Sequence, residues 1–338
     1  MLDVVAPVIL HIFNRSVESK VFPEVWKRAL IRPIPKSLHK RRRKLLRQLS
    51  LSSVRRRSPD LSFSSKTNIP QTVNTINAEI DNLVLWAKRN CLVINPQKTK
   101  AMVICSSGLR RFISFPIPNI EVDGNVVEFV ETARNLGIIF DKSLCWVDEV
   151  SKIRKRVFGA LWTLKRIKNF TTQNSKLLLV KSYILPILEY CAPLLNNITL
   201  EQSTRLQRAQ NACVRFIYHV RRREHITPYY NRARLLRLED RRKILTLSLL
   251  YKILVSQCPP YLYDKYTFHS SISSRETRTH DLLLHKPPHN TQSYSNSFFI
   301  TSITLWNSVP YSILNSLSFL AFKASLLEAV SEGLFSNL

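Results

Sequence analysis

Apolar residues recur at helical spacing through the second half of the chain, and this pattern limits the fold more than any other feature. The first two stripes consist of Val150, Ile153, Val157, Leu161, Leu164 and Ile167, and of Leu206, Ala209, Cys213, Phe216 and Val220. A third apolar set runs from Leu235 to Val255. Because residues at this spacing share one face of an α-helix, each stripe must be buried against a partner. The sequence therefore predicts a helical bundle over residues 147–256, with Val157, Leu161, Phe216 and Ile253 in its core.

One helix and several short strands are predicted before the bundle. An amphipathic helix from about Thr72 is indicated by Ile76, Ile80, Leu83, Val84, Ala87 and Cys91. Ala101–Cys105 and Asn135–Phe140 are short apolar runs typical of strands, and Asp123-Gly124 lies between two extended runs, which is a strong hairpin signal. We therefore expect a helix-dominant α+β fold, with a small antiparallel sheet in residues 100–140 around the Asp123-Gly124 turn.

Glycine, cysteine and histidine usage argues against several kinds of site. The 5 glycines lie too far apart for a P-loop or a G-x-G-x-x-G turn. The 6 cysteines include no C-x-x-C pair, so they indicate core thiols of a reducing compartment rather than a disulfide framework or a zinc site. His280, His285 and His289 are interrupted by a Pro-Pro pair and are interpreted as loop residues, not metal ligands. Asp3 and His11 interrupt the first apolar run, so we expect an intracellular protein, nuclear or cytoplasmic and not secreted.

The charge balance indicates the class of partner. There are 51 Lys+Arg against 23 Asp+Glu, a net charge of +28, and the isoelectric point is near 10.3. Such an excess attracts polyanions, so RNA or DNA is the expected partner. The charges are spread over several predicted helices, and Lys181, Pro186 and Glu189 interrupt the apolar run Leu177–Leu195. Neither a basic membrane-surface helix nor a membrane span is therefore expected.

Basic residues on the polar helix faces, together with one basic segment, form the candidate nucleic-acid site. Residues 36–57 contain ten basic residues and no acidic one, which is typical of a linker or basic arm; its core is Lys40, Arg41, Arg42, Arg43 and Lys44. The helical candidates are Lys152, Arg154, Lys155, Arg156, Lys165, Arg166, Lys168, Arg205, Arg208, Arg221, Arg222 and Arg223. Phe158 and Trp162 are expected to be partly buried beside Val157 and Leu161. Phosphate contacts rather than base stacking should then dominate binding.

Five segments resemble the reverse transcriptases of non-LTR (LINE, jockey-like) retrotransposons, in the order in which that family carries them. FNRSVESKVFPEVWKRALIRPIPK (Phe13–Lys36) resembles the opening of the fingers. LVLWAKRNCLVINPQKTKAMVIC (Leu83–Cys105) resembles the segment after the catalytic motif, and NLGIIFDKSLCW (Asn135–Trp146) resembles the primer grip. The helices over 161–195 and 206–230 resemble the thumb and the region after it, and SFFITSITLWNSVPYSI (Ser297–Ile313) resembles the C-terminal end.

This resemblance implies the remnant of a right-hand polymerase. It assigns residues 1–36 to a fingers-like fragment and residues 37–69 to a basic Ser/Arg-rich junction. Residues 70–146 would form a palm-edge and primer-grip-like segment, and residues 147–256 a helical thumb-like region. A loop and a C-terminal helical tail would occupy residues 257–338.

The metal-binding carboxylates of that family are missing from the sequence. Such polymerases hold two Mg²⁺ ions between palm aspartates that include an Asp-Asp pair, but the chain has no Asp-Asp dipeptide. Only 49 residues lie between Lys36 and Trp86, where the palm belongs, although a domain usually needs about 100 or more. Asp60 is a remnant of the pair at most, because Pro59 occupies the position of its partner, and it is not expected to hold a metal ion. Lys98 matches the family lysine that protonates the departing pyrophosphate, a role that needs a metal-bound triphosphate. No metal or other cofactor is therefore expected.

The sequence thus predicts a pseudoenzyme: a truncated, degenerate reverse transcriptase without RNA-directed DNA polymerase activity that retains sequence-independent binding of RNA or DNA. Two alternatives stay open. The protein would be an active polymerase if another chain supplied the palm, or if a longer version of the gene encoded it. The tail helices could instead form a protein-binding platform, in which case any binding should depend little on salt.

Overall fold

The computed structural model describes residues 69–105, 117–272 and 281–335. These residues divide into two compact units, the first of residues 69–101 and 117–128 and the second of residues 102–105, 129–272 and 281–335. The predicted fingers-like fragment, the basic arm with Lys40, Arg41, Arg42, Arg43 and Lys44, and the candidate ligand Asp60 lie outside the described residues. His280 lies outside them as well.

The first unit packs one helix against one β-hairpin. Helix α1 (Ile69–Arg89) buries Val73, Ile80, Val84 and Ala87, which confirms the predicted amphipathic helix. Ile80 and Val84 pack with Val122 and Val127 of the hairpin region. Cys91 was predicted on the buried stripe, but it is exposed with φ 54°, because the helix has already ended.

The hairpin of the first unit confirms the Asp-Gly turn. Strand β1 (Glu121–Val122) pairs antiparallel with β2 (Asn125–Val126), with Glu121 opposite Val126 and Val122 opposite Asn125. Asp123 and Gly124 have φ values of 51° and 75°, the left-handed backbone that a two-residue turn with primed geometry requires. Asp and Gly tolerate this backbone better than most residues, so the local sequence favours the turn, and Lys88 of α1 also donates a hydrogen bond of 2.8 Å to the Asp123 carboxylate.

The second unit begins with another hairpin, where a single strand was predicted. β3 (Thr132–Asn135) pairs with β4 (Ile138–Asp141), and Leu136-Gly137 forms the turn. The prediction of one strand over Asn135–Phe140 is therefore wrong. Leu136 adopts a φ of 47°, which is uncommon for leucine, and the Tyr190 hydroxyl donates a hydrogen bond of 2.7 Å to its carbonyl oxygen. Gly137, with a φ of 90°, is a local signal for this turn, and the hydrogen bond from Tyr190, more than fifty positions away, supports the turn as well.

The predicted sheet of residues 100–140 is two separate ribbons. The two hairpins lie in different units and each has only two strands. Ala101–Cys105 forms no regular strand; Ala101 makes one bridge-type contact, donating its N–H to the carbonyl of Glu128 at 3.1 Å. The α+β class with dominant helix is confirmed.

The predicted helical bundle is present in the second unit. Its helices are α2 (Val147–Arg166), α3 (Gln173–Leu179), α4 (Leu185–Glu189), α5 (Leu200–Tyr218), α6 (Thr227–Ala233) and α7 (Leu238–Ser256). A π-turn over Val180–Ile184 joins α3 to α4, and a 3₁₀ turn over Ala192–Leu195 follows α4. Val157, Leu161, Phe216 and Ile253 are all buried, as predicted. Ile167 is exposed, because α2 ends at Arg166.

The α2 and α5 helices begin side by side and run in the same direction. The Gln202 amide donates to the Cys145 carbonyl at 2.8 Å, and the Trp146 indole N–H donates to Asn197 Oδ1 at 2.7 Å. Gln202 also forms a capping box with Thr199, in which each side chain accepts a hydrogen bond from the other residue's backbone N–H. These contacts align the first turns of the two helices.

The C-terminal residues pack on the other side of α7. The elements are α8 (Pro260–Tyr263), α9 (His269–Ile272), α10 (Gln292–Ser295), α11 (Phe298–Asn307), α12 (Tyr311–Leu314) and α13 (Phe319–Ser331). The Tyr251 and Phe322 rings stack with their centroids 4.4 Å apart, and Trp306 and Leu326 are buried beside them. The predicted apolar tail is therefore a second core. No described helix has the length and apolarity needed to span a bilayer.

Candidate nucleic-acid interface

The outer face of α2 combines basic and aromatic side chains. Lys155, Phe158, Trp162 and Arg166 follow one another at spacings of three or four residues, which places them on one side of the helix. Val150, Val157 and Leu161 face the core on the opposite side. Arg154 and Lys165 border the stripe where α2 approaches α5. We call these six residues, Arg154, Lys155, Phe158, Trp162, Lys165 and Arg166, the basic–aromatic face.

Phe158 and Trp162 are exposed, contrary to the sequence prediction. Their exposed fractions are 41% and 64%. Each follows a core residue by one position, and one step along an α-helix rotates a side chain by about 100°, away from the core. The expectation that exposed aromatic residues are lacking on this surface is therefore wrong.

An arginine lies against each of the two exposed rings. The guanidinium carbon of Arg154 is 6.0 Å from the centroid of the Phe158 ring, and that of Arg166 is 5.4 Å from the Trp162 ring. Both distances fall within the range of cation–π interactions. The i, i+4 spacings Arg154–Phe158 and Trp162–Arg166 were visible in the sequence and would have indicated these pairs.

An open depression of about 700 Å³ lies where the first half of α2 meets α5. It is lined by Asp148, Ser151, Arg154, Lys155 and Phe158 of α2 and by Arg205 of α5. Within the part of the chain that the structure describes, the Arg154 side chain makes no hydrogen bond or ion pair, and its buried Nε has no acceptor. Three cations therefore converge on a concave surface that also presents one aromatic ring.

The predicted basic residues differ in how far they are available to a ligand. Lys152 is held inside the fold, where its Nζ donates to the buried Glu149 carboxylate and to the Gly137 carbonyl. Arg205 approaches Glu201 at 4.0 Å. Among the described residues, no carboxylate lies within salt-bridge distance of six other candidates: Arg154, Lys155, Arg156, Lys165, Arg166 and Arg208.

Arg156 and the predicted Arg221–Arg223 cluster lie away from the basic–aromatic face. Arg156 projects from α2 about 100° further around the helix than Lys155. Arg221, Arg222 and Arg223 are exposed in the turn after α5, which ends at Tyr218, about 20 Å along the helix from Arg205. The Glu224 side chain accepts from the Arg221 N–H at 3.4 Å in this turn. Arg221, Arg222 and Arg223 form a second basic patch.

Two further lysines from the sequence analysis are exposed outside the depression. Lys168 follows the end of α2 in a turn, where its N–H donates to the Lys165 carbonyl at 3.3 Å. Lys98 ends a 3₁₀ turn in the first unit. Within residues 69–105, 117–272 and 281–335, no three His, Cys, Asp or Glu side chains cluster closely enough to hold a metal ion.

The cysteines do not occupy the core as a group. Cys213 is fully buried and Cys105 and Cys191 are partly buried, while Cys91, Cys145 and Cys258 are exposed, so the prediction of core thiols is wrong for these last three. Burial raises the pKa of Cys213 to about 12, although the nearby charge of Lys165 opposes the shift. Cys213 is on the α5 stripe, whereas the exposed thiols lie outside the regular helices.

Comparisons with known proteins found no matching family model, no matching curated protein and no matching solved structure.

Proposed function

We propose that this chain is a degenerate reverse transcriptase of the non-LTR retrotransposon type that has lost polymerase activity and binds RNA or DNA independently of sequence. The family part of this proposal is supported by the five sequence segments that occur in the family order. The binding part is supported by the basic–aromatic face.

The observation that carries the binding function is the convergence of unpaired cations on one surface. Arg154, Lys155, Lys165 and Arg166 have no carboxylate partner among the described residues and share the outer side of α2. Arg205, which lies 4.0 Å from Glu201, adds a paired cation across the depression. A cation that is already paired gains little from a phosphate, because it must first give up its carboxylate. Cations without such partners exchange only water and counterions for phosphate oxygens, which is the basis of non-specific nucleic-acid binding.

The test is the salt dependence of binding to a labelled single-stranded oligonucleotide, measured by fluorescence anisotropy. If about 6 phosphates are neutralised, the logarithm of the association constant should fall with the logarithm of salt concentration at a slope near −4. Oligonucleotides of unrelated sequence should give the same slope and similar affinities. A slope near zero would contradict the proposal and favour the protein-binding alternative.

A charge-reversal variant locates the site. Lys155→Glu, Lys165→Glu and Arg166→Glu together should weaken binding to every oligonucleotide alike and make the salt slope less negative. The matched control is Arg232→Glu, Lys265→Glu and Lys286→Glu, which changes the net charge equally at exposed positions elsewhere in the second unit. Equal losses in the two triple variants would show that net charge alone, and not this face, governs binding.

A further inference from the structure

We infer that the basic–aromatic face selects single-stranded nucleic acid and binds it with bases stacked on Phe158 and Trp162 and a phosphate in the adjoining depression. This inference rests on the proposed nucleic-acid binding and adds the form of nucleic acid that the site accepts. Three features of the structure support it.

The first feature is the spacing of the two rings. Phe158 and Trp162 are four residues apart, so their side chains leave the helix about 6 Å apart along its axis and about 40° apart around it. Successive bases in a stacked strand rise only 3.4 Å. Two neighbouring bases can therefore lie on the two rings only when they are unstacked from one another, as they are in a flexible single strand.

The second feature is the exposure of the rings beside arginines. Phe158 and Trp162 present 41% and 64% of their surface to solvent, which is enough area for a base to cover. Arg154 and Arg166 lie at these rings, where they can contact the phosphates that flank a stacked base. Aromatic platforms flanked by cations are the usual means of binding single strands without sequence preference, since every base has a π-face.

The third feature is the depression that adjoins Phe158. Arg154, Lys155 and Arg205 converge there, and the Arg154 guanidinium has no acceptor among the described residues. A phosphate oxygen would supply that acceptor, and the Ser151 hydroxyl lies in the same lining as a further donor. Asp148 is also in the lining, and Glu201 lies 4.0 Å from Arg205, so the three cations must outweigh two carboxylates.

A duplex cannot use these features. Its base faces are covered by neighbouring bases, and separating them costs free energy at every step. The rings would then contribute nothing, and a duplex would be held by its phosphates alone. The face should therefore bind single strands more tightly than duplexes of the same length at equal salt.

The test compares three labelled probes of equal length: oligothymidylate, oligouridylate and a blunt DNA duplex. Phe158→Ala and Trp162→Ala should each lower the affinity for both single strands by about 5-fold to 150-fold, as expected for loss of one stacked base, while duplex affinity stays unchanged. Trp162→Phe, which keeps a ring, should retain most of the affinity. Tyr261→Ala is the matched control, because Tyr261 on α8 is an aromatic residue about as exposed as Trp162 and more exposed than Phe158.

The possible results separate the inference from the proposed function. If neither single strand nor duplex binds, the proposed function fails. If duplex and single strand bind equally well and the alanine variants match the Tyr261→Ala control, binding stands but the inference is overturned. Far-UV circular dichroism of each variant confirms folding, which exposed helix positions should tolerate.

Discussion

Replacing Asp141 by asparagine should make the second unit less stable at neutral pH. Asp141 ends β4, and its carboxylate accepts hydrogen bonds from the Ser143 hydroxyl and from the backbone N–H groups of Ser143, Cys145 and Trp146, at 2.7 to 3.1 Å. These four bonds shape the turn that leads into α2. Asparagine has about the same size but carries no charge and replaces one acceptor oxygen by an NH2 group, so it removes the charge and one acceptor without changing the packing.

The size of the effect follows from the pKa of Asp141. Burial disfavours the charged form, but the hydrogen bonds from Ser143, Cys145 and Trp146 outweigh it and lower the pKa from 3.8 to about 2. This difference corresponds to about 2 kcal/mol of folding free energy. Because the folded-state pKa is depressed, that stabilisation is fully present above about pH 4 and is lost as the pH falls towards 2.

Urea denaturation followed by circular dichroism measures this contribution. We expect Asp141→Asn to lower the free energy of unfolding by about 2 kcal/mol at pH 7, with the difference from the wild type shrinking below pH 4. Asp264→Asn is the control, because Asp264 is exposed and should show no such difference. A deficit of equal size at pH 7 and at pH 2 would refute the reasoning, since the loss would then not arise from the carboxylate charge.

Two further predictions concern chemistry elsewhere in the chain. Primer extension on an RNA template with Mg²⁺ or Mn²⁺ should give no product above a control without protein. Template-dependent incorporation that persists in an Asp60→Ala variant would show that carboxylates other than Asp60 bind the metal ions. Cys213 should not react with a thiol reagent at pH 8 in the folded protein, because burial raises its pKa to about 12. The exposed Cys145 and Cys258 are expected to react first. If a Cys213→Ala variant has one rapidly reacting thiol fewer than the wild type, this prediction is contradicted.

Local periodicity was enough to predict much of the fold. The stripes of α2 and α5 lie in the core as expected because helical geometry alone decides which residues share a face. The Asp123-Gly124 turn was predictable for a similar reason, since its backbone requires residue types that tolerate positive φ. The basic character of the α2 surface follows from the same periodicity, because charged side chains remain on the face opposite the core.

Tertiary contacts decided what periodicity left open. Gly137 favours the turn at Leu136-Gly137 locally, but the uncommon backbone of Leu136 is also supported by a hydrogen bond from Tyr190, which no local pattern contains. Lys152 looked as available as Lys155 in the sequence, but a buried Glu149 holds it in the fold. Charge alone does not distinguish a lysine with an internal partner from one that faces solvent.

The candidate site itself combines both sources of information. The sequence determined that α2 carries arginines and aromatic residues at helical spacing. Only the fold brought Arg205 beside Arg154, because Gln202 and Trp146 align the starts of α2 and α5 across an intervening segment of more than thirty residues. The depression exists because these long-range hydrogen bonds place the two helices in parallel, and such contacts depend on the whole packed unit rather than on any one segment of the chain.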